Sequence, residues 1–248
     1  MDQVKLTVVY DNYPKNDDLE TAHGFACVVK AGDEAILFDT GGSGQILLSN
    51  MRALRIDIEE VNAVVLSHMH WDHIGGLDAV LEANPRVRVH APAAFSSTFL
   101  RDMEGRAEAV VRTEGPQQVV NSVWTTRVLE RPFAEQALYV EVAEGIVVLT
   151  GCAHPGVVAL TRAAHEASGQ PVHAALGGFH MSSMSRSEIK RVIAELQELG
   201  VEHVGPCHCS GDPARRAMRE AYGEGYLNIT VGSELTFAPA ASNTGKER

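Results

Sequence analysis

The chain has 248 residues, 45% of them hydrophobic, and a formal charge of −11. That is enough apolar material for one large core, and no Pro/Gly/Ser-rich linker or block of charge divides it. The negative field disfavours nonspecific attraction to nucleic-acid phosphates and favours divalent cations.

One domain over residues 1–238 is therefore expected, followed by a small polar tail, 239–248, expected to be disordered. Met1-Asp2-Gln3-Val4-Lys5 lacks the basic segment and long apolar core of a secretory signal. No run of about 18 apolar residues could span a bilayer. A cytoplasmic protein without membrane or nucleic-acid partners is the expectation, and the sequence does not speak to its oligomeric state.

In chain order, Lys5–Tyr10, Phe25–Lys30 and Ala35–Asp39 read as strands, the last two joined by the turn Ala31-Gly32-Asp33-Glu34. The polar stretch Asn12–Thr21, with Pro14, reads as a surface loop near a site. Ile46–Leu54 and Leu77–Ala83 carry helical periodicity, the second closed by Asn84-Pro85, and Val61–Ser67 is an apolar strand-like run. Val87–Ala91 is a short strand, residues 92–98 begin a less regular segment, and 101–113 is charged with no clear period. Val119–Leu129 alternates like a strand, and Leu138–Val142 with Gly145–Thr150 forms a hairpin around Ala143-Glu144. Val157–Ser168 is helical, His173–Leu176 extended, Ser187–Leu199 an amphipathic helix closed by Gly200, and Val201–Val204 a strand entering Cys207-His208-Cys209. Two halves, each delivering metal-type residues from strand ends, suggest an α/β fold: an αββα sandwich of two mixed β-sheets with helices on the outer faces.

The densest chemistry is His68-Met69-His70-Trp71-Asp72-His73, directly after the apolar run. Three imidazoles and a carboxylate at a strand end would be costly to bury without a cation, so the segment reads as a metal-binding loop. Gly75-Gly76 lets backbone pack close behind it. The cysteines, Cys27, Cys152, Cys207 and Cys209, are expected to be small buried residues in a reducing compartment. If 207–209 continues the strand, the two thiols point one way and His208 the other, so one site would not use all three.

His-x-His-x-Asp-His after a hydrophobic strand, with Phe38-Asp39-Thr40-Gly41 upstream, resembles the metallo-β-lactamase superfamily. His23-Gly24-Phe25, Thr150-Gly151-Cys152-Ala153-His154-Pro155-Gly156, Gly177-Gly178-Phe179-His180 and Gly205-Pro206-Cys207-His208-Cys209-Ser210-Gly211 resemble a subgroup of dihydropterin-ribofuranosylaminobenzene-phosphate synthase-like metal-dependent hydrolases. The resemblance implies that His68 and His70 share a first divalent metal with His154, and that Asp72, His73 and His208 hold a second. Zinc is favoured, with iron or manganese as alternatives and one or two ions bound. It implies that Asp39 orients the ligand histidines, although an Asp-turn hydrogen bond explains that residue equally well. His23 is either a site-edge or a structural residue.

The better-known members place a histidine between the first motif and a later bridging aspartate. Here residues 74–150 contain only His90, which reads as structural, and Gly151-Cys152 or Gly178-Phe179-His180 stands near the aspartate's place. His180 is thus a ligand, a proton donor or a substrate contact, the last two favoured, and Asp72 and His180 are the candidate catalytic residues. His165, His173 and His203 read as surface or packing residues. The implied function is a metal-dependent hydrolase or lyase using metal-activated water on a small, phosphorylated or pterin-like substrate. Non-haem iron redox chemistry and synthase-type condensation are the alternatives.

Overall fold

The computed structural model describes residues 3–15 and 18–240. The first half runs β1 (Val4–Tyr10), β2 (Ala26–Ala31), β3 (Glu34–Phe38), α1 (Gly44–Ala53), β4 (Ala63–Val65), α2 (Trp71–Ile74), α3 (Leu77–Ala83), β5 (Arg88–Pro92), α4 (Ser97–Glu104) and β6 (Ala109–Thr113). The second runs β7 (Gln117–Val120), β8 (Val123–Thr125), β9 (Leu138–Val142), β10 (Gly145–Thr150), α5 (Val157–Ser168), β11 (Val172–Gly178), α6 (Arg186–Glu198), β12 (His203–Cys207), α7 (Asp212–Tyr222) and β13 (Glu234–Phe237).

Two mixed sheets result, ordered β13-β1-β2-β3-β4-β5-β6 and β12-β11-β10-β9-β8-β7. β3 to β6 are parallel in the first, and β10 to β12 in the second. Alternate residues of β1, β2, β3 and β4 (Leu6, Cys27, Ile36, Val65) meet Leu138, Val140, Val147 and Leu149 of the second sheet in a shared core. The other face of the first sheet packs on α1, α3 and α4, and the other face of the second on α5, α6 and α7. Four layers follow from this period-two alternation inside and 3.6-residue periodicity outside, which is the expected αββα sandwich. Among the described residues, no helix is long and apolar enough to cross a membrane.

Several local expectations change. Val119–Leu129 is not one strand: the chain reverses at Ser122, whose φ is +63°, so β7 and β8 pair antiparallel. The segment 101–113, unreadable by period, holds the end of α4 and all of β6; α4 begins at an Ser96 cap that accepts from Phe99 N–H. β6 is an edge strand, only one of whose five residues is fully buried, so it carries no in-out alternation. Helix α7 and strand β13 were also unanticipated. Of the tail 239–248, Pro239 bridges to Val142, while 241–248 lies outside the described residues.

His90 on β5 is 2% exposed, and neither of its ring nitrogens has a partner. Burial, reinforced by the Arg88 charge, pushes it down to about 4. The unfolded chain, with an ordinary imidazole, then binds more protons than the folded one between about pH 4 and 6.5. Folding stability should be fully retained above that window and fall as the pH drops through it, by roughly 3 kcal/mol from this residue. His90→Leu should remove this share of the slope in denaturant titrations run between about pH 7 and pH 4; a variant with the same slope as the wild type would contradict the assignment.

Candidate metal centre

The parallel strands β3, β4, β10, β11 and β12 all end on one rim of the sandwich, and the loops leaving them carry the chemistry. The carboxyl ends of parallel strands are where an α/β sheet leaves room for a ligand. Just after β3, Asp39 takes a left-handed backbone (φ +57°) and is fully buried. Its Oδ1 accepts from Ser67 N–H at 2.7 Å, and its Oδ2 accepts from Ser67 Oγ–H and from His73 Nδ1–H, both at 2.7 Å. With its one hydroxyl proton given to Asp39, Ser67 Oγ serves His68 Nδ1, 2.8 Å away, as an acceptor. Gly151 permits this approach, because a Cβ there would collide with Ser67 Oγ.

A second buried carboxylate does the same on the other sheet. Glu135, in the loop before β9, accepts from the backbone N–H groups of Cys152, Ala153 and His154 at 3.0, 2.7 and 2.8 Å. It also accepts from His154 Nδ1–H at 2.9 Å. Burial would raise its pKa, but the hydrogen bonds from His154, the nearby His68 and the backbone donors prevail and bring it down to about 2. Asn12, after β1, completes the set: its Oδ1 accepts from His208 Nδ1–H at 3.0 Å, while Asp11 Oδ1 accepts from His208 N–H at 2.9 Å.

The Nδ1 atoms of His68, His73, His154 and His208 are thus all committed as donors, which leaves each Nε2 as the inward-facing atom. Those atoms converge. His68 Nε2 lies 3.1 Å from His70 Nδ1, and His73 Nε2 lies 3.2 Å from His208 Nε2. Asp72 Oδ2 is 3.3 Å from His208 Nε2 and 3.6 Å from His73 Nε2. Cys152 Sγ lies 3.3 Å and 3.4 Å from the same two nitrogens. Two donor sets result: His68, His70 and His154, and beside them Asp72, His73, Cys152 and His208.

Burial, then the neighbouring His73, pushes His68 down to about 3; burial, then His208, does the same to His73. Both are therefore neutral with lone pairs free, the form that binds a metal. Asp72 is drawn below the usual carboxylate range; burial opposes this, but the hydrogen bond from His208 and the two imidazoles, His73 and His208, beside it outweigh burial. A pair of nitrogens 3.2 Å apart, each with its other nitrogen already donating, needs a cation between them, either a proton or a metal ion.

The six metal-type residues read from the sequence all lie at this rim. His180 (φ +50°) lies outside both sets, its ring 4.5 Å from that of His154, and groups instead with Cys152 and Cys209. The strand alternation expected at 207–209 does not occur. β12 ends at Cys207, which packs in the shared core, and a 3-10 turn with His208 at φ +47° brings both His208 and Cys209 to the site. Cys27, Cys152 and Cys207 are buried, as expected, and Cys209 is half-buried; Cys152 and Cys209 also line the cavity at the site. His23 stands at the site edge, its Nε2 3.1 Å from Asp72 Oδ2.

The family model described as the metallo-beta-lactamase superfamily matches residues 21–157, more than half of the chain. The chain belongs to that superfamily. It is 24% identical to the 7,8-dihydropterin-6-methyl-4-(beta-D-ribofuranosyl)-aminobenzene-5'-phosphate synthase of Methanocaldococcus jannaschii, over 96% of this chain and 98% of that one. Among solved structures, Tm1679, a metal-dependent hydrolase of the beta-lactamase superfamily, superposes with a TM-score of 0.77 at 26% identity, covering 94% of this chain and 98% of its own. A diphosphatase from the PhnP family gives 0.66 at 17% identity over 97% and 99%, a likeness of fold.

For a superfamily member, the supports missed from sequence are as informative as the ligands found. Glu135 sits in Arg131-Pro132-Phe133-Ala134-Glu135-Gln136, with no motif around it, and becomes visible only once β9 and β10 are paired. Asp11-Asn12 had a usable signal: polar residues at the end of β1, as Asp39 stands at the end of β3. Glu135→Gln should place an amide N–H against the donors of the His154 turn, weakening zinc binding by about 10–100-fold and stability by about 2 kcal/mol. Chelator competition with zinc and a denaturant titration would read both; wild-type affinity in the variant would mean Glu135 does not position the His154 turn.

Proposed function

We propose that this protein is a metal-dependent enzyme acting on a small molecule, with hydrolysis or lysis by activated water as its reaction. The observation that carries the reading is the convergence of the two donor sets, each pre-oriented by buried acceptors, on one open cavity of about 530 Å³. That volume suits a small substrate. Imidazole, thiolate and carboxylate together suit zinc, with iron or manganese as alternatives: His68, His70 and His154 would hold one ion, and Asp72, His73, Cys152 and His208 a second. When bound, such ions supply Lewis acidity and a water acidified toward neutral pH.

The chain's own groups divide the remaining work. Asp72, 8% exposed at its side chain, faces the cavity with Oδ2 beside His208 Nε2 and His23 Nε2, and it stays ionised there, so it can accept a hydrogen bond that orients His23 at the cavity edge. His180 is exposed on the cavity lining beside His154, and the Cys209 hydrogen bond raises its pKa against burial, which favours the proton-donor form for a leaving group. No Lys or Arg is among the residues lining this cavity, so a phosphate on the substrate would be held by the ions and not by fixed cations.

The three exposed large hydrophobic side chains among the described residues are Met69, Trp71 and Phe133; Trp71 lines the cavity and Phe133 lies beside two of the histidines. Phe133 lies edge-on to His70 and His154, at ring distances of 4.9 and 5.1 Å. Trp71 lies so close over Gly42 that a Cβ there would collide with the indole. Exposed aromatic surfaces beside the centre favour a substrate carrying a flat ring. That observation, with the near full-length similarity to the synthase, also favours a second reading, in which a dihydropterin and an aminobenzene ribofuranosyl phosphate are condensed here. The free state of all four cysteines and the acidic charge support a reducing, cytoplasmic setting without nucleic-acid partners.

Anaerobic purification, metal analysis and parallel assays of aryl phosphoester hydrolysis and pterin condensation would test this. The expected result is zinc or manganese with turnover of one of these substrates, a loss of about 10²–10⁴ in kcat for Asp72→Asn, and a raised KM with unchanged metal content for Trp71→Ala and Phe133→Ala. Iron with oxygen uptake and neither activity would overturn the proposal.

A further inference from the structure

The sheet that presents the catalytic rim also carries histidines at its other end. His173 is the second residue of β11 and His203 the first of β12, whereas the centre is reached at Gly178 and Cys207. Five residues of extended chain separate the two ends of β11, roughly 17 Å, so nothing at His173 can belong to the metal centre.

The backbone does something particular there. Ile146 pairs with Val172 but Val147 pairs with Ala174, so His173 is an extra residue, bulged out of the ladder. A bulge re-aims the side chain it carries. Val172 joins the helix-side core and Ala174 the core between the sheets; His203 is the register partner of Ala174 and so shares its face. The His173 ring comes to 4.8 Å from the His203 ring, and its face meets Phe237 at 5.9 Å and 89°. Glu202, next to His203, accepts from His173 Nδ1–H at 2.8 Å. His203 Nδ1 is buried with no hydrogen-bond partner. One donor atom from each of His173, Glu202 and His203 falls within a 4.8 Å group.

From this we infer a second, distal metal site formed by His173, Glu202 and His203, taking a borderline divalent ion such as zinc. The class of ion follows from the donors: two imidazoles and one carboxylate suit zinc, nickel or cobalt far better than magnesium or calcium, which prefer oxygen alone. Zinc–ligand distances near 2.1 Å put neighbouring donor atoms about 3.4 Å apart, so Glu202 must shift from its 2.8 Å hydrogen bond with His173 Nδ1 to take a place on the ion. Glu202 can supply that movement, because its side chain is 62% exposed, whereas His173 at 14% is held by packing. An ion there would satisfy the unpartnered His203 nitrogen and tie β11 to β12 near the open edge of the second sheet. It would bind the folded chain alone and so add stability by mass action. The site is independent of the proposed reaction, and its role is structural.

Zinc titration of metal-stripped full-length protein tests it, with Glu202→Ala and His203→Gln as the variants. Glu202 is exposed, so its replacement leaves the fold intact even if His203→Gln does not. The wild type should take up one more equivalent of zinc than either variant, and zinc should raise its melting temperature further than that of Glu202→Ala. Equal zinc stoichiometry and equal thermal shifts in wild type and Glu202→Ala would overturn the distal site, whatever the assays at the main centre show.

Discussion

The structure of the site depends on buried or half-buried acceptors that hold imidazole Nδ1–H groups. Asp39 through His73 and Ser67, Glu135 through His154, and Asn12 through His208 each fix a ring's tautomer and direction from behind. At Glu135 three backbone N–H groups and an imidazole offset the cost of burying the carboxylate, whereas at Asp39 burial prevails over its donors and raises the pKa to about 7. Without them the rings would be free to rotate, and the inward nitrogens would not converge.

The fold exists, from this standpoint, to bring those acceptors together. Asp39 and Ser67 follow adjacent parallel strands of the first sheet, Glu135 precedes the second sheet's hairpin, and Asn12 follows β1. Only a face-to-face pairing of the sheets, with the core of Leu6, Ile36, Val65, Leu138, Val147 and Leu149 between them, sets all four on one rim. Packing in that core therefore controls the site's geometry as much as any residue that faces the cavity.

Much of this was legible in the sequence because periodicity and motif agree. The strands flanking the 31–34 turn, the 138–150 hairpin, and the helices 77–83 and 157–168 have bounds set by alternation, a Gly-containing turn, or Asn-Pro and Gly stops. The ligand set was legible because metal-type residues cluster at strand ends. What was not legible arises from tertiary context. β6 is a half-buried edge strand without in-out alternation. The 207–209 run leaves the strand because His208 adopts a left-handed backbone that no local pattern announces. Glu135 lies far along the chain from the ligands it orients and acts only through strand pairing. Cys152 stands where a harder ligand was expected, so its place between His73 and His208 had to be seen in space.

The account rests on the claim that the Nε2 atoms of His68, His154, His73 and His208 face cations held between them. Anomalous diffraction from crystals grown with zinc measures this directly. The result expected is one peak within ligand distance of His68, His70 and His154, and another within ligand distance of Asp72, His73, Cys152 and His208, with every Nδ1 still donating to its acceptor. Absence of zinc at the rim, or zinc bound through Nδ1 with the rings turned away from Asp39, Glu135 and Asn12, would contradict it.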